Sequence, residues 1–321
     1  MSSFTVAILS APGRITFADR PLAPPREGQV RVRLEGCGVC GSNLPVWEGR
    51  PWFTYPLAPG APGHEGWGVV DAVGPEVDGV REGDPVATLS QNAFAEYDLC
   101  EVSQIVRLPA SLGGRPFPGE ALGCAMNVFR RCDIQSHHRV AVVGVGFLGA
   151  LLIQLAARAG ARVYAVARRP FARETARRMG ATEVIAMEGH AQVIGRVKEL
   201  TGDAGCERVI EAAGLQWPLD LAGELTAERG RLIIAGYHQD GTRQVNLQLW
   251  NWRGLDVVNA HERDLRIYRE GVLAAAEAVA AGRIDPYPLY THSFALDEVT
   301  SALNAMKDRP HGFMKGLVTY V

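Results

Sequence analysis

The chain has 321 residues, with 33 Lys and Arg against 35 Asp and Glu, a formal net charge of -2 and 47% hydrophobic residues. That composition excludes a disordered or fibrous chain, and the near-balanced charge excludes a global field that would draw the molecule to nucleic acid or an anionic membrane. At roughly 100–200 residues per domain, the length allows one large domain and favours two. The 6 cysteines are too few for a disulfide scaffold in a chain this long, which leaves thiols, metal ligands or buried small residues. No basic segment followed by an apolar run opens the sequence, and no stretch reaches the ~20 apolar residues of a membrane span, so a cytoplasmic protein is expected.

From Pro12 to Pro118 the chain is rich in Gly and Pro, with short alternating runs such as 30–34 and 68–73 between turns, which predicts an irregular β-rich domain. From Arg139 the rhythm changes to apolar strands alternating with helices. Strands are predicted at 140–143, 162–167, 183–186, 208–211, 231–235 and 255–258, with helices at 147–158, 171–179, 191–200 and 219–227 between them. Purely apolar strands in such an alternation predict a parallel sheet covered on both faces, an α/β architecture. Helices at 271–281 and 296–306 and a strand at 316–321 close the chain.

The first strand of that alternation runs into Gly144-Val145-Gly146-Phe147-Leu148-Gly149, a GxGxxG between strand and helix. Gly144 suits the tight turn, Gly146 lets backbone approach a pyrophosphate, and Gly149 lets the helix pack close to the strand. The N–H groups of the helix start, at Phe147 and Leu148, then meet the diphosphate. Where an NAD site offers Asp or Glu to the ribose, about 20 residues after the loop, this chain reads Ala167-Arg168-Arg169. Ala167 removes the carboxylate that would repel a 2′-phosphate and the two guanidinium groups suit it, so NADP is preferred over NAD. The rival reading is that the arginines only cap a surface turn.

In the β-rich half, Cys37-Gly-Val-Cys40-Gly-Ser42-Asn43 is followed by Gly63-His64-Glu65-Gly66. A single CxxC fits a redox pair as well as a metal site, but no helix-forming sequence follows Cys40, which argues against the redox pair. A catalytic zinc takes three ligands of S, N or O type and keeps one position open. Cys40 and His64 can supply two, and Glu65, Glu120 and Cys124 remain candidates for the rest.

The strings 36–42 and 63–66, the GxGxxG after a strand and Phe313-Met314-Lys315-Gly316 together resemble the medium-chain, zinc-type alcohol and polyol dehydrogenases over nearly the whole chain. The resemblance implies a β-rich GroES-like catalytic domain formed by 1–121 and 263–321, and a Rossmann doubly wound parallel-sheet domain over 122–262. It implies hydride transfer between NADP(H) and a secondary alcohol, polyol or sugar-like substrate or its ketone. By the same likeness one zinc is held by Cys40 and His64, with Glu65 as ligand or close neighbour. Glu120 takes the third-ligand position of the polyol branch in preference to Cys124, Ser42 hands on the alcohol proton, and Lys315 is a cation for the cofactor diphosphate. A homodimer or homotetramer is implied, with no nucleic acid or membrane partner. Three departures stand out. The cysteine-rich lobe that binds a structural zinc in many members is absent, Pro45 replaces a frequent histidine, and Asn43 replaces the usual Asp.

Cys37, Cys100, Cys132 and Cys206 read as packed small residues. His137 and His138 are expected in solvent, and His190, His238, His292 and His311 have no partner motif. His261 is expected near the substrate cleft or a subunit contact, and Trp47, Trp52, Phe53 and Tyr55 either wall a substrate pocket or join the core. Two rival functions are a zinc-free quinone or enone reductase of the same fold and a non-catalytic nucleotide-binding redox sensor.

Overall fold

The Gly- and Pro-rich half and the strand–helix alternation fold as separate units in the computed structural model, which describes residues 2–238 and 240–320. The chain up to Cys124 and from Arg263 onward forms one unit, and residues 125–262 form the other. The first unit begins with strands β1 (Ser3–Ala11), β2 (Arg14–Pro21) and β3 (Gln29–Val39) and the short helix α1 (Leu44–Trp47). Strands β4 (Gly66–Val73), β5 (Pro85–Thr88), β6 (Tyr97–Glu101) and β7 (Ile105–Arg107) follow, and helix α2 (Gly119–Cys132) leads out of it. The second unit begins with β8 (Arg139–Val143), α3 (Phe147–Arg158), β9 (Arg162–Ala167), α4 (Pro170–Arg178), β10 (Glu183–Ala186) and α5 (His190–Thr201). It continues with β11 (Cys206–Glu211), α6 (Gln216–Leu225), β12 (Thr226–Ile234), α7 (Leu247–Arg253) and β13 (Asp256–Asn259). Helix α8 (Leu265–Ala280), β14 (Tyr290–Phe294), α9 (Val299–Asp308) and β15 (Lys315–Thr319) belong again to the first unit.

Period-2 patterning builds the first unit: Val30, Val32 and Leu34 of β3 are buried while Arg33 is exposed. The main sheet has the order β14-β15-β3-β4-β5-β7, with β6 also on β3, and β1 and β2 form a second, two-stranded sheet. From Gly36 to Val39 strand β3 is buried at every residue, because there β15 pairs with it on one edge and β4 covers the other at Gly36 and Cys37. Its core gathers Leu9, Val30, Val32, Leu34, Phe94 and Leu303, and takes in Trp47, with Phe53 and Tyr55 packed against it. Trp52 is exposed.

The second unit is one parallel sheet of order β10-β9-β8-β11-β12-β13. Counted along its own strands this is 3-2-1-4-5-6, the dinucleotide-binding order, with the reversal between β8 and β11. Val140, Val142, Val163, Val166, Val209, Ile210, Leu232 and Ile233 are all buried, as a sheet covered on both faces requires.

Several elements depart from the sequence expectation. Helix α6 ends at Leu225, not at 227, since β-branched Thr226 opens β12 and its Oγ1 caps the helix by donating to Ala222 O at 2.8 Å. Helix α8 starts at Leu265, not at 271, because the Asp264 side chain accepts from Arg266 N and caps it. Helices α2 and α7 were not anticipated. His138 is buried at 6% exposure, with Nδ1 accepting from Gln135 N at 3.0 Å, against the expected solvent position. Cys37, Cys100, Cys132 and Cys206 are buried free thiols. Among the described residues no helix is long and apolar enough to cross a membrane.

Candidate active site

Strand register assembles the metal-type residues of the first unit. Val39 pairs with Gly316 on β15 and Cys37 pairs with Gly66 on β4. Cys40 leaves the end of β3, His64 and Glu65 lie just before β4, and Lys315 directly precedes Gly316, so pieces distant in sequence meet at one end of the sheet. The donor atoms of Cys40, His64 and Glu65 all lie within 4.8 Å of one another. Glu65 is fully buried, and its carboxylate is paired with the buried ammonium of Lys315. That pair occupies the cation which the family resemblance assigns to the cofactor diphosphate. The Gly at position 38 is required here, since a Cβ would stand 1.8 Å from Glu65 Oε2.

Glu120 sits in the first turn of α2, and Cys124, one turn on, donates its thiol to Glu120 Oε1 at 3.2 Å. Close packing sets this helix, because a Cβ on Gly119 would stand 2.5 Å from Ala87 Cβ and one on Gly123 2.8 Å from the Val272 side chain. Burial raises the Glu120 carboxyl above its ordinary range, opposed by His64 and reinforced by Glu65. Burial by itself would lower the His64 imidazole, but Cys40, Glu120 and Glu65 outweigh it and push it up to about 10. Lys315 is likewise held above its ordinary value, burial opposing and Glu65, Cys40 and Glu120 prevailing.

The loop after Cys40 is stapled to the loop before β4. Asn43 is buried, its Oδ1 accepts from Cys40 N at 2.9 Å, and its Nδ2 donates to Pro62 O at 2.9 Å. His64 Nδ1 is 2.9 Å from the same carbonyl and donates there, which fixes the ring and leaves Nε2 as the nitrogen turned toward the cluster. Ser42 Oγ lies 3.2 Å from that Nε2.

The Gly-rich loop of the second unit is shaped by its glycines. Gly144 has φ +102° and a Cβ on Gly149 would stand 2.1 Å from Gly144 O, so neither position admits a side chain. A Cβ on Gly146 would meet nothing within 4 Å. Gly146 caps α3 without a side-chain bond, so the N–H groups of the first turn, which carries Phe147 and Leu148, point to a ready anion site. At the end of β9, Ala167 is buried, Arg168 is exposed and the partly buried Arg169 is the N-cap of α4.

Comparison with known proteins meets this geometry at both units. The alcohol dehydrogenase GroES-like domain family matches residues 26–131, and the zinc-binding dehydrogenase family matches residues 148–276. The chain belongs to the medium-chain, zinc-type alcohol dehydrogenase family. Its relatives include a 2-dehydro-3-deoxy-L-galactonate 5-dehydrogenase of Pseudoalteromonas atlantica, 24% identical over 92% of both chains. A short chain alcohol dehydrogenase from Escherichia coli CFT073, solved with NADH, superposes with a TM-score of 0.88 at 21% identity over 99% of this chain and 100% of its own. A zinc-binding dehydrogenase from Sinorhizobium meliloti 1021, bound to NADP, gives 0.86 at 24% identity over 99% and 100%.

As a dehydrogenase of this family the chain is an NAD(P)-dependent oxidoreductase, and the family implies zinc. The donor set fits that metal: a thiol, an imidazole held through its other nitrogen and carboxylates are zinc ligands, and Glu65 Oε1 is buried with no hydrogen-bond partner. Several participants were not visible in the sequence. Gly38 makes room for Glu65, and Tyr268 on α8 hydrogen-bonds Cys124 behind Glu120. His238, expected without a partner, meets the buried Glu211. His261 is exposed, with its ring 6.3 Å from that of Tyr237.

Proposed function

We propose that this dehydrogenase interconverts a secondary alcohol, polyol or sugar-like substrate and its ketone, with NADP(H) preferred over NAD(H) and one zinc per chain. The observation that carries the reading is the convergence of Cys40, His64 and Glu65 within 4.8 Å beside Glu120, in a chain that also carries the Gly-rich turn of a parallel dinucleotide sheet. Cys40, His64 and Glu120 hold the zinc, with Glu65 as a further ligand or the group that keeps its negative charge beside it. When bound, the metal acts as a Lewis acid that lowers the pKa of an alcohol or polarises a carbonyl, while the nicotinamide exchanges the hydride.

The chain's own residues do the rest. Ser42 Oγ, beside His64 Nε2, hands on the alcohol proton, giving up its own hydroxyl proton to water as it accepts. Asn43 and Pro45 do not extend that route: Pro45 has no titratable group, and Asn43 is spent on holding Cys40 N and Pro62 O. The N–H groups opening α3 bind the diphosphate, Gly144, Gly146 and Gly149 let backbone approach it, and Arg168 and Arg169 face the 2′-phosphate. Lys315 balances Glu65. The sugar-acid relative supports a polyol-like substrate class, and the neighbours bound to NADH and to NADP support a nicotinamide dinucleotide without choosing between the two. The protein acts in the cytoplasm as a homodimer or homotetramer. A panel of secondary alcohols, polyols and sugar acids assayed with both cofactors tests the reading. Turnover on none of them, with zinc bound, refutes it, and activity on quinones or enones without zinc favours the reductase.

A further inference from the structure

Glu211 ends β11 with its side chain fully buried, and a buried carboxylate is costly unless its oxygens are bonded. Oε1 accepts the backbone N–H groups of Ala213 and Gly214, both at 2.8 Å. Oε2 lies 3.0 Å from His238 Nε2, and His238 Nδ1 accepts from Arg243 Nε at 2.9 Å. An arginine N–H can only donate, so the imidazole proton sits on Nε2 and is given to Glu211. His238 is thus wired as a bridge that must accept on one nitrogen and donate on the other. Arg243 Nη2 also donates to Gly214 O at 3.0 Å. Next to it, Gln244 N donates to Gln216 Oε1 at 3.0 Å and Gln216 Nε2 returns a bond to Gln244 O at 2.8 Å.

These bonds lash the turn after β11 to the segment that carries His238 and Arg243 after β12. The same turn supports the Gly-rich loop, since a Cβ on Gly144 would stand 2.9 Å from Ala213 Cβ and 3.0 Å from Ala213 N. β8 and β11 are also the neighbours at which strand order reverses, the place where an open α/β sheet binds its nucleotide. We propose that His238, held between Glu211 and Arg243, is a positioning residue for the dinucleotide, fixing the backbone of Ala213 and Gly214 against Gly144. The inference rests on the reading of the 144–149 loop as the cofactor site. β8 separates β11 from β9, where Arg168 and Arg169 stand, so the bridge acts on NAD and NADP alike.

The test is the dissociation constant of NADH and NADPH for the zinc-loaded enzyme, read by quenching of protein fluorescence, in wild type, His238→Ala, His238→Gln and Arg243→Ala. His238→Ala leaves Glu211 Oε2 buried and unbonded and should weaken both nucleotides about tenfold. His238→Gln should stay within about twofold of wild type, because its Nε2 can donate to Glu211 and its Oε1 can accept from Arg243. Zinc content and KM for the alcohol should not move. Unchanged affinity in His238→Ala, equal weakening in His238→Ala and His238→Gln, or a loss confined to NADPH overturns the proposal. Should His238→Ala fail to fold, His238→Gln and Arg243→Ala decide, since wild-type affinity in the first with weaker binding in the second is expected and equal affinity in both overturns it. A wild type that binds neither nucleotide refutes the cofactor-site reading itself.

Discussion

The two sites of this dehydrogenase are built in opposite ways. In the first unit, the proposed zinc site draws side chains from four places in the chain, and they act on one another: His64 is pushed up to about 10 by groups that follow β3, precede β4 and open α2. In the second, one continuous segment from β8 into α3 presents backbone, and what matters is the room left by Gly144, Gly146 and Gly149. A site of converging charges fails when one side chain goes. A site of backbone fails when a methyl group intrudes.

The zinc site of the first unit carries the strongest expected effect. Cys40→Ser should lower turnover by about three decades, the several kcal/mol that a metal contributes to stabilising developing charge, while the dissociation constant for NADPH stays near wild type. Loss of cofactor binding together with activity would show that the two sites are not separate. Gly149→Ala is the mirror test: its Cβ would stand 2.1 Å from Gly144 O, an overpacking that costs about 1–3 kcal/mol. Thermal unfolding and nucleotide titration should both register it, with zinc content unchanged; wild-type stability and affinity would mean that the loop tolerates a side chain. Smaller again is Arg168→Ala with Arg169→Ala, expected to raise KM for NADP about tenfold and leave that for NAD unchanged, with the difference shrinking at high salt. An equal change for both cofactors would make the arginines surface residues.

The smallest effect lies away from both sites. Burial opposes ionisation of Glu207, but Arg139 outweighs it and holds the carboxyl down at about 2. A carboxylate with a lowered folded-state pKa stabilises the protein above its unfolded pKa, near 4.3, and loses that contribution as pH falls toward 2. With both partners partly exposed, Glu207→Gln should cost at most about 1 kcal/mol at neutral pH, and the gap to wild type should close below pH 4. A gap that persists at pH 2 would assign the effect to packing.

What the sequence disclosed follows the same division. The GxGxxG, its strand and its helix are local, so 140–143 and 147–158 could be read within one window. Cys40 and His64 could be picked out, but not how β15, β3 and β4 align to bring them together, and so the contact between Lys315 and Glu65 stayed hidden. Gly38 gave no signal because its reason is the carboxylate of a residue 27 positions on. Helix α2 went unseen although it carries Glu120 and Cys124, since the glycines at 119 and 123 lower helix propensity and are explained only by what they pack against. His238 looked isolated because its partner Glu211 lies on β11, 27 residues earlier in the chain. The aromatic run 47–55 divided on burial, with Trp47 inside and Trp52 outside.

We propose that a single zinc is held by side chains of the first unit, with Glu120 completing the set begun by Cys40 and His64. It is tested most directly by zinc per chain, measured on chelator-free protein after zinc supplementation, in wild type, Glu120→Ala and Cys124→Ala. One zinc in wild type and in Cys124→Ala, with most of it lost from Glu120→Ala, is the expected result. Two metals or none in wild type, or metal lost from Cys124→Ala and kept by Glu120→Ala, would contradict it.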